Sequence, residues 1–461
     1  MSQSSRRQFI KHSLASASSF SLAPMFTNFG FAAQKNQARI DSSLHPVTDD
    51  FTGLPLLKLP EGFTYRSFGW TGEKMSDGIK TPGAHDGMAV VKEDESTITL
   101  IRNHELSNSG KAFGNPEYAY DTQGPAGCTT LIVDRKSGEL LKSHVSLSGT
   151  SRNCAGGPTP WGTWLTCEET ISTPEDLFVA PRINTFQQTH GWVFEANPEQ
   201  NSRPEPIKDM GCFWHEAVAV DAKTGIVYLT EDRKTGGFYR YLPSTSGKLA
   251  EGGELQMLSL TAHPDFDANQ VDGQKFDTSW VTIDKPHQGH SPGTRDTLGV
   301  FKQGTVQKAA TFDRVEGCFI HERAVYFSCT EGGRKGCGQI WRYLPDEEQL
   351  ELVYESIDPQ ILNMPDNIAV HPNGAVAICE DSNAKLQRMH FLTRQGQLKR
   401  FADNNMILNG EHMGLKKDYR KQEWAGATFS ADGQIMFVNI QTPGVTFAIR
   451  GPWQDWLNSV S

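Results

Sequence analysis

Six times along the chain an acidic or metal-competent residue opens a short segment that a second acid closes. Four of these units share one spacing: Cys154 and Glu169, Glu216 and Glu231, Glu316 and Glu331, and Asp366 and Asp381 are each fifteen residues apart. Carboxylates in apolar surroundings are rare unless a cation compensates them. Asp86 and Glu423 extend the opening set, and Glu105 the closing one. Hard oxygen donors in such numbers suit Ca²⁺, Mg²⁺ or ferric iron. Cys154 stands where the other units place a carboxylate, and a thiolate there suits a softer metal. Arg314 lies two residues before Glu316, so strand alternation puts both on one face. A guanidinium beside a metal cluster suits the oxygens of a phosphate.

The elements that must position these residues are hairpins. The text between opening and closing residues alternates apolar and polar, as in HEAVAVDAKTGIVYLTED and PDNIAVHPNGAVAICED, with Lys-Thr-Gly or Asn-Gly at the turn. The phrases GGFYRYLP and GQIWRYLP follow the third and fourth units and repeat one another. Six such units predict an all-β, six-bladed β-propeller, a single domain over residues 34–461. Strands near residues 50–70 (LPEGFTYRSFGW) are expected to complete the last blade and close the ring. The stretch 244–300, rich in Gly, Asp, His and Pro, reads as a long insertion between blades. In a propeller, a residue repeated once per blade becomes a ring about the axis, so the acids are expected as two neighbouring rings.

The bulk numbers narrow the partners. A formal charge of −10 disfavours nucleic acid and anionic lipid. MSQSSRRQFIK at the start is a twin-arginine pattern, so residues 1–33 are expected to be a removable leader. The protein is then periplasmic or secreted, handled by the twin-arginine export machinery, with no integral membrane segment and as a monomer. The eight cysteines do not require a disulfide framework in a chain that folds before export. His85, His104, His215 and His321 adjoin ring positions and are expected in the core or behind the ligands.

At NCAGGPTPWGTWLTCEET, GCFWHEAVAV, RVEGCF, PDNIAV and SRRQFIK the chain closely resembles the PhoX-type alkaline phosphatases. The resemblance implies a six-bladed propeller that hydrolyses phosphate monoesters with ferric iron and calcium in the acidic channel. It implies that Cys154, Glu216 and Glu316 are cluster ligands and that Arg314 contacts phosphate. Glu169, Glu231 and Asp366 fit the same shell by register. The implied chemistry is metal-assisted hydrolysis, with Arg314 offsetting developing charge. Two other readings stay open: a calcium-dependent lactonase or esterase, and a non-catalytic propeller with structural calcium.

Overall fold

The computed structural model describes residues 40–41, 43–107, 110–179, 182–199, 203–261 and 270–459; the expected leader lies outside them. The regular elements of the described residues are almost wholly β-strands, and no helix among them is long and apolar enough to cross a membrane.

The fold is propeller-like. Each of the six sequence units forms an antiparallel hairpin whose first strand is the innermost of its sheet. These first strands are His85–Glu93, Asn153–Pro158, His215–Val220, Val315–His321, Pro365–Val370 and Trp424–Phe429. Each lies against the next, and the sixth returns to the first, so they enclose an axis. The repeated phrases GGFYRYLP and GQIWRYLP end in equivalent third strands, Phe238–Pro243 and Gln339–Leu344.

The sheets do not divide as expected. Four are separate, but the third and fourth units share one nine-stranded sheet. The cause is the strand Lys275–Thr282, which pairs with Gly253–Leu260 of the third unit and with Gln349–Glu355 of the fourth. An outer strand leaves a row of backbone N–H and C=O groups unpaired, and the long connection satisfies two such rows at once. The insertion is therefore shorter than 244–300, since Gly253–Leu260 is the third unit's own outer strand.

The N-terminal segment closes the ring. Thr64–Phe68 pairs antiparallel with Val445–Arg450 in the sixth unit's sheet, as expected for that stretch. Apolar residues between adjacent sheets form the core, with Trp424, Phe447 and Tyr65 buried on one side of the closure and Ile98, Leu131 and Phe437 on the other. At the far end of the axis the inner strands enclose an apolar cavity of about 70 Å³ beside Met88, Val218, Phe319 and Ile368. The acids occupy the opposite, opening end.

Candidate metal centre

Five of the six inner strands carry the opening residue in a β-bulge, and in the sixth the shift follows Ala425. Pairing shifts between His85 and Met88, His215 and Val218, Val315 and Cys318, and Pro365 and Ile368. A bulge re-aims a side chain at the rim of a sheet, and here it turns Asp86, Glu216, Glu316 and Asp366 to the axis. Close strand approach permits this. A Cβ on Gly87 would sit 2.5 Å from the Ala155 Cα, and one on Gly317 would sit 2.6 Å from the Asp366 oxygen.

Polar side chains of second strands pin the neighbouring inner strand. Asn103 donates to the carbonyls of Cys154 and Ala155 at 3.1 and 2.7 Å. Thr230 reaches the Glu316 carbonyl, Ser328 the Asp366 carbonyl and Asn439 the Asp86 carbonyl, each at 2.6 Å. Each contact crosses from one unit to the next, so the first, third, fourth and sixth units fix a neighbour's candidate ligand.

Backbone bonds define the closing ring. The N–H groups of Glu105, Glu169, Asp232, Thr330, Asp381 and Gln441 donate to the carbonyls of Ala84, Arg152, Trp214, Arg314, Met364 and Glu423. The closing residues are therefore not all those expected. Fifteen residues is correct in the second and fifth units, one short in the third and one long in the fourth. Glu231 is buried away from the axis, where it accepts from the Tyr239 hydroxyl at 2.7 Å and the Gly237 N–H at 3.1 Å. Burial raises its pKa to about 7. Asp232, one residue on, faces the axis, and Thr330 stands where Glu331 was expected. In the sixth unit Glu423 lies two residues before the opening position, which Ala425 fills.

Four groups of donor atoms lie within 4.8 Å of one another: Glu105, Cys154 and Glu169; Asp86, Glu105 and Glu423; Glu216, Glu316 and Asp366; and Asp366, Asp381 and Glu423. Sharing of Glu105, Asp366 and Glu423 makes them one continuous cluster. Burial, reinforced by neighbouring carboxylates, holds the pKa values of Asp86, Glu216, Glu316, Asp366 and Glu423 well above the usual range. Burial also raises Glu169 strongly, against the pull of Arg152. The Cys154 thiol is pushed up by burial and then by Asp86. The Glu216 Oε2 is buried with no hydrogen-bond partner. Such an arrangement is unfavourable as free anions and favourable around cations.

Two guanidiniums border the cluster. Arg314 Nε and Nη2 each lie 3.0 Å from an Asp232 oxygen, and Nη2 lies 2.5 Å from Glu316 Oε1. Arg152 Nε is 3.0 Å from Glu105 and 3.1 Å from Glu169. Burial lowers the pKa of Arg314, but Glu316 and Asp232 outweigh it and keep the group firmly charged. The histidines stand behind the acids: His104 bonds the Gly83 carbonyl and Thr129, and His215 the Gly211 carbonyl. All eight cysteines are unpaired, and every one but Cys154 is buried. A larger open depression beside Asp209, Glu254, Lys285 and His287 contains none of the clustered residues.

Sequence reasoning missed Asp232 and Gln441. Asp232 is the second acid of a Glu-Asp pair, and Glu168-Glu169 and Glu380-Asp381 follow the same rule. The first acid of each pair is spent inside its own sheet. Glu168 accepts from the Ser151 and Gly191 N–H groups and His190, and Glu380 pairs with Arg388. Gln441 donates to Glu105 at 2.7 Å and to Asp86 at 3.2 Å.

Comparison with known proteins bears on this geometry. The family model described as Alkaline phosphatase PhoX matches residues 42–444. No curated protein matches. Among solved structures, Pseudomonas fluorescens PhoX in complex with vanadate, a transition state analogue, is 19% identical with a TM-score of 0.63, covering 90% of this chain and 98% of that one. At that identity the likeness speaks to the fold. A gluconolactonase from Xanthomonas campestris is 10% identical with a TM-score of 0.37, over 80% of this chain and 97% of that one.

Proposed function

The chain belongs to the PhoX alkaline phosphatase family, and from that premise we propose that its axial cluster holds ferric iron and calcium and hydrolyses phosphate monoesters. Phosphatase activity follows from the family; the identity of the ions is our reading. The observation that carries it is the donor set. Cys154 with Glu105 and Glu169 offers sulfur and oxygen together, a combination suited to iron. The remaining groups offer only carboxylate oxygen, which suits calcium. The orphaned Glu216 Oε2 and the raised carboxyl pKa values fit cations at these places. We also read the nine-stranded sheet as two units of one six-unit ring joined at their outer edges.

When bound, the ions supply polarisation of the phosphoryl oxygens and a nucleophile for attack on phosphorus. The chain supplies position and charge. Arg314, held as a fork by Asp232, keeps donors beside Glu316 to neutralise charge developing on the phosphoryl group. Gln441 bridges Asp86 and Glu105 and keeps the first and sixth units in register. The clustered acids sit at the opening end of the inner strands, so substrate meets them from that end. The twin-arginine leader supports export of the folded, metal-loaded enzyme to the periplasm.

The test is elemental analysis of protein purified from its own periplasm, with parallel assays on an aryl phosphate and a lactone. Iron with several calcium ions and aryl phosphate turnover are expected. A single calcium with lactone turnover would replace this reading with the esterase. Cys154→Ala is expected to lose iron and activity together.

A further inference from the structure

The residue two places before each opening position forms a third ring: Ala84, Arg152, Trp214, Arg314, Met364 and Glu423. Each gives its carbonyl to the closing residue of its own hairpin, at 2.8 to 3.2 Å. Ala84, Arg152, Arg314 and Met364 adopt φ of 49°, 51°, 52° and 56°, a region that residues other than glycine usually avoid. The fold dictates this backbone whichever side chain is present. Side-chain type here is therefore free to serve chemistry.

The types are not evenly distributed. Three consecutive units carry the donors Arg152, Trp214 and Arg314, while Met364, Glu423 and Ala84 fill the other half without a cation. Arg152 is held as Arg314 is, through Nε on ring carboxylates. Glu169, its partner, lies within hydrogen-bond reach of Asp232, the partner of Arg314. The two guanidiniums thus flank one pair of adjacent carboxyl groups, Glu169 and Asp232. Among the described residues the Nη groups of Arg152 make no hydrogen bond, and its side chain is 37% exposed. Between the arginines, the Trp214 Nε1–H is buried without a partner while Arg233 covers the ring at 4.9 Å.

Resting on the phosphatase reading, we propose that Arg152 is a second substrate-contacting residue. Its Nη groups bind phosphoryl oxygens from one side, Arg314 binds them from the other, and the Trp214 indole donates between them. Gripped along this arc, the phosphoryl group directs its organic substituent over Met364 and Ala84.

The test compares wild type, Arg152→Lys and Arg152→Gln in KM and kcat for an aryl phosphate, in inhibition by inorganic phosphate, and in metal content. Loss of a charge-assisted hydrogen bond predicts that KM and the phosphate inhibition constant rise together about 10- to 100-fold in Arg152→Gln. Metal content should hold and kcat should fall less. Lysine, which keeps the charge without the fork, should recover part of the loss. Unchanged phosphate inhibition in both variants overturns the proposal. So does metal loss in step with activity, which would make Arg152 only a clamp on Glu105 and Glu169. Absence of phosphate ester hydrolysis in metal-loaded wild type would instead overturn the phosphatase reading.

Discussion

Asp232 holds Arg314 flat against it, with Nε and Nη2 each 3.0 Å from one carboxylate oxygen, across the boundary between the third and fourth units. The same guanidinium reaches Glu316 within its own unit. One side chain thereby couples two neighbouring hairpins to the orientation of the cation. Asp232→Ala removes two charge-assisted bonds and leaves Arg314 anchored only through Glu316. We expect kcat/KM to fall about 10- to 100-fold while metal content is retained. Elemental analysis beside the kinetics decides the matter, because loss of metal would make Asp232 a ligand.

Stripping the ions should invert the usual effect of pH on stability. The raised carboxyl pKa values mean that the metal-free folded chain binds more protons than the unfolded chain above about pH 4. Stability then falls as pH rises through the raised values. Chelated protein should melt at a lower temperature at pH 8 than at pH 5, and calcium should restore it most at pH 8. A chelated protein more stable at pH 8 would show that the carboxylates are compensated without ions.

His190 provides a second, independent pH signature. It is fully buried between Glu168, at 2.6 Å, and Asp121, at 3.4 Å. Burial pulls its pKa down, but Glu168 and Asp121 overcome this and raise it to about 9. A raised folded value stabilises fully below the unfolded pKa near 6.5 and is lost as pH climbs through about 9. His190→Gln should therefore be destabilised at pH 6, by up to about 3 kcal/mol, with the gap narrowing by pH 10. Melting curves at both pH values check this, and a constant gap would mean a neutral imidazole.

Gly87→Ala tests the close approach of the inner strands. The new Cβ would meet the Ala155 Cα at 2.5 Å and the Cys154 carbonyl at 2.9 Å, both backbone atoms that cannot turn aside. Overpacking of this kind costs about 1–3 kcal/mol. We expect a lowered melting temperature together with reduced metal content, since the displaced strand carries Cys154. Unchanged melting would mean that the ring absorbs the methyl.

Five opening residues were legible because the bulge that carries them needs no knowledge of the turn; in the sixth unit Ala425 fills the position and Glu423 lies two places before it. The closing residues were not legible, because their distance along the chain depends on turn length. Six residues separate Val220 from its partner Val227, five separate Val370 from Val376, and two separate His321 from Ala324. The constant spacing of fifteen was accurate for Glu169 and Asp381 and accidental for Glu231 and Glu331. Adjacent acids sharpened the ambiguity, since strand alternation sends one inward to Tyr239 and the next to the axis. The six hairpins were equally visible. Their joining into fewer sheets was not, because Lys275–Thr282 finds its partners only where two outer edges meet in space.

The pairing of Thr64–Phe68 with Val445–Arg450 carries a consequence in time. Asp86 is among the first candidate ligands to be synthesised, yet Asn439 and Gln441, which hold it, follow 353 and 355 residues later. A nascent chain still tethered at residue 430 has most of its acids and no closed circle to gather them. The circle that gathers the acids therefore closes only after the sixth unit has been made.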